Sequence, residues 1–281
     1  MKILFVVNGF PPTENAGTEI VAWQQARALR ALGHDVAVFA RGFDRSRPNL
    51  SVHDERHDGF TIRRFTSHGP GGNDDDRGEA VCAAFDAFLQ QAAPDLVHIH
   101  HLIGLAPEIA PTVRASGKAL VVTLHDFWFG CPRIHLWRQK RERCDGPEGG
   151  LACHRFCDLD LGYSQQRYAR MMTTIEHADE VVSDSRFVAA TYARWGLTAP
   201  VTAIAPGAEI APAQLAPPGE AGPLRLGYVG SLIEEKGAHL LVQAVRGFPE
   251  SEVVGTSSGD PTTQPTPTCC RGWPGTPLDR R

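Results

Sequence analysis

The chain has 281 residues, 42% hydrophobic and 21% charged, with a formal net charge of −4. That length supports one large domain or two smaller ones with a real core. The mild negative charge argues against a nucleic-acid groove or an anionic membrane surface as partner, and no apolar run reaches the roughly 20 residues of a membrane span.

The first residues enter a strand directly, without the apolar segment and cleavage site of a signal peptide, so a cytoplasmic protein is the expectation. In that setting the seven cysteines point to metal, redox or core roles before disulfides.

Ile3 to Val7 is a continuous apolar run, the pattern of a strand buried on both faces. The loop Gly9-Phe-Pro-Pro-Thr-Glu-Asn-Ala-Gly17 follows, and from Thr18 the period becomes helical. Val21, Ala22, Ala28, Leu29 and Leu32 fall on one face, with Arg27 and Arg30 on the other. Gly33 caps the helix, and Val36 to Ala40 begins a second strand. Gly17 stands just before the helix N-terminus, where free amides and the helix dipole favour an anion and a missing Cβ permits close approach. The loop is not G-x-G-x-x-G, so a dinucleotide pyrophosphate is not expected. Its length, beyond that of ordinary βα loops, favours a functional role.

Arg41 to Asn49 is a polar loop, and Phe60 to Phe65 alternates like a partly exposed strand. Ser67 to Asp76 is Gly/Asp-rich, and its Asp74-Asp75-Asp76 run reads as a solvated loop. Glu79 to Ala93 is a helix burying Val81, Phe85, Phe88 and Leu89. Pro94-Asp-Leu-Val-His-Ile-His-His101 is a buried strand in which His98 and His100 share a face. Ala106 to Ser116 is helical, and Ala119 to Leu124 is another buried strand ending in His125-Asp126-Phe-Trp128. Ligands of open α/β sheets bind beyond the carboxyl ends of the strands. His100, His101, His125 and the Gly17 loop all stand there, so convergence from three strands is the main site expectation.

Cys131, Cys144, Cys153 and Cys157 come next, spaced C-x12-C-x8-C-x3-C in a segment with little to bury. A structural tetrahedral zinc would staple it; disulfides and free thiols are the alternatives. Gln165 to His177 is helical, Glu180 to Ser183 a short strand, Ser185 the cap of a helix through Trp195, and Val201 to Ala205 a strand. Ala205 to Gly222 is rich in Pro, Ala and Gly, as a linker between domains is. A second β-loop-α unit follows: Leu224 to Val229, the loop Gly230-Ser231-Leu-Ile-Glu-Glu-Lys236-Gly237, and a helix from Ala238 to Val245. Lys236 near a helix N-terminus suits a phosphate held by ammonium and amides together.

Taken together, these residues resemble the retaining glycosyltransferases of family 4, which have the two-Rossmann GT-B architecture. The resemblance runs from Met1 to about Pro249. It rests on Gly9-Phe-Pro-Pro…Gly17-Thr-Glu, Gly33-His34-Asp-Val, Pro94 to His101, Thr123-Leu-His125-Asp-Phe-Trp, Val182-Ser-Asp-Ser185, Ala205-Pro-Gly207 and Tyr228-Val-Gly-Ser…Glu235-Lys-Gly237. The fold it implies is α/β: a Rossmann-like doubly wound parallel sheet with an incomplete second Rossmann-like domain. The N-terminal domain, 1–210, would take the acceptor; 211–222 would be the linker and 223–250 the start of the donor-binding domain.

The resemblance also implies roles. Gly17 and Thr18 would lie by the donor phosphates or acceptor, His125 beside the transferred sugar, and Gly230, Ser231 and Lys236 at the donor diphosphate. His100, His101 and Asp126 would line the acceptor cleft. The family's usual arginine is Ser231 here, which removes one phosphate contact. The donor would be a nucleotide-diphosphate sugar and the acceptor a glycan or lipid-linked glycan, with peripheral membrane contact in the lipid-linked case and surface polysaccharide assembly as the usual context. Catalysis in the family needs no metal, so a zinc on the four cysteines would be structural.

After about Glu250 the helix and strand periods stop, and the family's E-x7-E pair is missing. Residues 251–281 have the composition of a disordered tail. A truncated or frame-shifted product, weakly active or inactive and prone to self-association through an unpaired sheet edge, is therefore the expectation. The alternatives are a non-catalytic acceptor- or partner-binding domain and an epimerase-like GT-B protein.

Overall fold

Five consecutive enclosed apolar residues, Ile3 to Val7, make β1 (Lys2–Val7) the central strand of an eight-stranded sheet. The computed structural model describes residues 1–68, 75–138, 142–207, 222–230, 232, 234–249 and 252–258. The chain divides into two units, Met1–Glu209 and Ile210–Arg281.

In the first unit β1 is followed by α1 (Gly17–Ala31), β2 (Asp35–Gly42), β3 (Val52–His57), β4 (Phe60–Thr66) and α2 (Asp75–Ala92). Then come β5 (Leu96–Ile99), α3 (Ile109–Ala115), β6 (Ala119–Leu124), α4 (Leu151–Cys157), α5 (Leu161–Glu176), β7 (Glu180–Ser183), α6 (Arg186–Arg194) and β8 (Val201–Ala203). The strand order is β3-β4-β2-β1-β5-β6-β7-β8, and every neighbouring pair is parallel except β3 with β4. The chain builds outward from β1 on one side, returns, and builds outward again from β5. The crevice between the ends of β1 and β5 is thus the topological switch point, where such sheets bind ligands.

Strand alternation sorts the side chains into two cores. Leu4, Val6, Val97, Ile99, Leu120, Val122, Leu124 and Val181 pack beneath residues of α2, α3, α5 and α6, including Phe85, Val113, Met171 and Tyr192. On the other face Ile3, Phe5, Val7, Val36, Val38 and Ala40 pack with Ala22 and Ala26 of α1. The buried set expected for α2, Val81, Phe85, Phe88 and Leu89, is buried. Gly33 ends α1 with φ 86°, and Ser185 caps α6 by accepting the Val188 amide at 3.2 Å.

Two expectations are corrected in this unit, at Leu32 and at Asp75 and Asp76, and one strand goes unread in the sequence. Leu32 is 76% exposed, because it is the C-cap of α1, past the last turn facing the sheet. Val52–His57, VHDERH, pairs antiparallel with β4 as an edge strand; its half-buried, charged alternation hid it. Asp74 lies outside the described residues, and Asp75 and Asp76 open α2 where a loop is expected.

The second unit contains β9 (Leu224–Val229), a 3-10 turn at Glu234–Lys236, α7 (Ala238–Val245) and β10 (Val253–Ser258). The two strands pair in parallel from Val253↔Leu224 to Ser258↔Val229. Val253–Ser258 thus corrects the assignment of everything after 250 to a structureless tail. Its Gly, Thr and Ser content mimics a linker, but a parallel partner supplies the ladder. Residues 259–281, with Cys269 and Cys270, lie outside the described residues.

Candidate functional site

Parallel register carries β5, β6 and β7 to their carboxyl ends side by side. Because Leu124 is level with Ser183, the next residues, His125 and Asp184, are level too. Asp184 Oδ2 lies 2.7 Å from His125 Nδ1, and His125 Nε2 lies 3.1 Å from His100 Nδ1. His98 and His100, on one face of β5 as their parity requires, stack with centroids 4.1 Å apart, and His98 Nε2 meets Thr123 Oγ1 at 2.7 Å. The result is a ladder of three imidazoles and one carboxylate across three strands. Burial, with neighbouring histidine charge second, pushes His98 down to about 3 and His100 well below the ordinary imidazole range. Both are therefore neutral near pH 7.

The expected convergence of His100, His101 and His125 separates at the sheet. His101 points the opposite way from His100 and packs against Trp128, with centroids 5.0 Å apart. Its Nδ1 accepts the Ile103 amide at 3.0 Å, so its proton sits on Nε2, facing Asp126 Oδ2 at 3.3 Å. Asp126 Oδ1 accepts the Trp128 amide at 2.8 Å. Burial acts to raise the Asp126 pKa, but hydrogen bonding and charge from His101, with the Trp128 amide, hold it below the usual carboxylate range. His100 and His125 therefore belong to one group, and His101 and Asp126 to another. A β-strand's two-residue period separates neighbours in just this way.

The Gly9–Gly17 loop is anchored from β4. Buried Arg64 donates to Glu14 Oε2 at 2.5 Å, Glu55 Oε1 at 2.7 Å and the Phe10 carbonyl at 2.7 Å. Close packing explains Gly9, where a Cβ would stand 2.7 Å from Glu14 Cβ. At Gly17 nothing lies within 4 Å of that position. Open space, with Thr18 beside it in the first turn of α1, is what the helix N-terminus presents.

A cavity of about 1030 Å³ opens on the α1 face of the sheet. Leu96, Val121 and Val182 give it an apolar floor, His98, Thr123, His125 and Asp184 a polar one, and α1 and Ile204–Gly207 form its sides. This pairing of an apolar surface with a few convergent polar groups is typical of small-molecule sites. Of the residues nominated from sequence, His125 lines it. Asp184 was not nominated, although level registers on adjacent parallel strands and its parity with Val182 would have placed it beside His125.

Cys131, Cys144 and Cys153 are buried and Cys157 half-buried, all with free thiols. Burial first, then Cys131, Cys157 and Cys144, pushes the Cys153 thiol up to about 12. Burial also raises Cys131, although the Leu136 and Arg133 amides point at its sulfur. Among the described residues no three His, Cys, Asp or Glu side chains are arranged to hold a metal ion. A metal needs thiolates, which burial disfavours at Cys131 and Cys153; a structural zinc on the four cysteines stands as a proposal. The segment is seated by Arg167, which is buried and donates to the Trp128 carbonyl at 2.6 Å. Gly150, at φ 100°, lies so close to α5 that a Cβ would meet the Ser164 carbonyl carbon at 2.5 Å.

In the second unit Gly230 has φ 152° and Gly237, at φ 74°, is the N-cap of α7. Lys236 is exposed immediately before it, and its carbonyl accepts from Tyr228 Oη at 3.4 Å. Ser231 lies outside the described residues. Among the described residues no helix is long and apolar enough to cross a membrane.

The sequence profile described as Glycosyltransferase Family 4 matches residues 16–211. No curated protein matches the chain. Among solved structures, sucrose-phosphate synthase from Thermosynechococcus elongatus is similar at 21% identity and TM-score 0.62, covering 93% of this chain and 63% of its own. The catalytic domain of starch synthase IV from Arabidopsis thaliana, bound to ADP and acarbose, gives 13% and 0.56, covering 92% and 68%. The lipopolysaccharide outer core galactosyltransferase WaaB gives 14% and 0.52, covering 92% and 68%. The chain therefore spans about two thirds of the length of these proteins, and at such identities the likeness shows the fold.

Proposed function

The chain belongs to Glycosyltransferase Family 4, and from that premise we propose that it takes part in moving a hexose, with retention, from a nucleotide-diphosphate sugar to a glycan or lipid-linked glycan. The observation that carries this reading is the His125 ladder, set at the carboxyl ends of β5, β6 and β7 and bordering the cavity. His125 would stand beside the sugar undergoing transfer. The open amides at Gly17 and Thr18 suit an anionic group, and His101 and Asp126 would contact the acceptor from the other side of the strand ends. Lys236, with the turn glycines Gly230 and Gly237, would offset charge developing on the departing diphosphate. Ser231 takes the sequence position of the family's usual arginine.

The test is incubation of the full chain with labelled UDP-, GDP- and ADP-hexoses and a panel of oligosaccharide and lipid-linked acceptors. The expected result is label on an acceptor with the donor's anomeric configuration, at a low rate in keeping with the missing E-x7-E pair, and its loss in His125→Ala. Conversion of the nucleotide sugar without an acceptor would overturn the transferase reading in favour of an epimerase. Acceptor binding with no donor turnover, even when a complete donor domain is supplied, would favour a binding module.

A further inference from the structure

We propose that Cys131, Cys144, Cys153 and Cys157 are the ligands of one structural zinc ion, and that the buried guanidinium of Arg167 is its countercharge. The inference stands apart from the transferase reading, because nothing in it requires turnover.

Three short pieces of chain bring the four sulfurs together. Cys131 closes a tight turn, its amide donating to the Phe127 carbonyl at 2.6 Å. Leu136 ties it to the second cysteine: the Leu136 amide points at the Cys131 sulfur, and the Leu136 carbonyl accepts the Cys144 amide at 2.8 Å. The hairpin between them is held by the Trp137–Arg143 bridge. Its Arg138 guanidinium lies 3.8 Å over the Phe156 ring of α4. That helix carries Cys153 and Cys157 one turn apart on a shared face. Cys153 thus stands within electrostatic reach of the other three sulfurs.

Two features suit thiolates better than thiols. The Leu136 and Arg133 amides both point at Cys131; a thiol sulfur is a weak acceptor, whereas a thiolate takes charge-assisted bonds. Arg167 is buried, and among the described residues it donates to the Trp128 and Phe129 carbonyls, at 2.6 and 3.4 Å. The ionisable groups acting most on it are Tyr163, Cys131, Tyr192 and Cys153, two phenols and two thiols. A buried cation without an anion is costly, and the thiols supply one once a metal takes them.

A zinc ion binding here displaces four thiol protons to solvent and leaves a site with two net negative charges beside that guanidinium. His135 and His154 are exposed, and His154 Nδ1 meets the Leu159 carbonyl at 2.8 Å, so the donor set is all sulfur, which suits tetrahedral zinc. As protonated thiols, no three side chains among the described residues close on one point. A cysteine's single side-chain torsion has three wells, so rotamer changes re-aim the sulfurs. Cys144, whose Sγ donates to the Gly146 carbonyl at 3.4 Å, needs such a turn.

The test is metal analysis of the full chain purified under reducing conditions, with cobalt(II) exchanged for zinc as an optical probe. The expected result is one zinc per chain, and a cobalt form with the charge-transfer and d–d bands of a tetrahedral four-thiolate site. Cys153→Ser and Cys157→Ser should lose that spectrum, whereas Cys82→Ser and the paired changes Cys269→Ser and Cys270→Ser should keep it. Arg167→Gln should weaken zinc about 10- to 100-fold in chelator competition, and Arg167→Lys, which keeps the charge, less. No bound zinc together with no cobalt spectrum in the wild type would overturn the site. The full spectrum in Cys153→Ser, or its loss in the paired tail variant, would overturn the ligand assignment. Unchanged zinc affinity in Arg167→Gln would overturn the countercharge.

Discussion

Val121 and Val122 are consecutive on β6, yet Val122 is enclosed beneath helices while Val121 lines the cavity. The same division runs through the sheet. On one face four helices cover an almost wholly apolar set of strand residues. On the other, α1 covers β1 and β2, while β5 to β7 carry His98, Thr123, His125 and Asp184 around an opening. Buried polar groups are tolerated only when they satisfy one another, and the ladder does so nearly throughout. One face specifies the fold; the other keeps that architecture and carries the polar residues proposed to serve the chemistry.

That division is easiest to break from the closed side. Phe85→Ala removes a fully buried ring and is expected to cost about 3–5 kcal/mol, read as a shift of the urea midpoint. A value near zero would mean that this face is not the main core. The next effect is acid sensitivity, which belongs to the open face. Folded His98 takes a proton only near pH 3, whereas the unfolded side chain does so near 6.5. Stability from this group is therefore complete above about pH 6.5 and lost as pH falls toward 3, at ~1.4 kcal/mol per unit. His98→Gln should flatten that acid limb in urea melts at pH 7, 6 and 5; an unchanged limb would place the titrating groups elsewhere. Smaller again is the contrast within β6. Val122→Ala should cost about 1.6 kcal/mol or more, from two lost methyl groups plus a void, and Val121→Ala clearly less. Equal costs would mean that both faces are equally closed. Last, Cys131 and Cys153 should resist iodoacetamide at pH 8 in the native protein and react on unfolding, as mass mapping would show. Rapid native alkylation would contradict their burial.

Much of the closed face is legible in sequence, because apolar period and burial are the same fact there: Val81, Phe85, Phe88 and Leu89 announce their own helix. Edges are less legible. β3 is written in charged residues because an edge strand needs no apolar face, and β10 is written in Gly, Thr and Ser because its ladder comes from β9. At the site, strand parity correctly joins His98 to His100. The same parity separates His100 from His101, which proximity in sequence had grouped. Asp184 escapes because nothing local marks it; it acquires meaning only when β6 and β7 are set in register. The cysteines are legible only as a group: their spacing speaks of ligands, and the fold buries Cys131 and Cys153 and raises their thiol pKa.

The most direct test of the open face as the working face is calorimetric titration of the 281-residue chain with UDP- and GDP-sugars and with acceptor oligosaccharides, beside His125→Ala. The account predicts saturable binding of at least one saccharide, weakened about tenfold, or ~1.4 kcal/mol, by the substitution. Binding of equal strength in both proteins would contradict it, and would move the site off the ladder altogether.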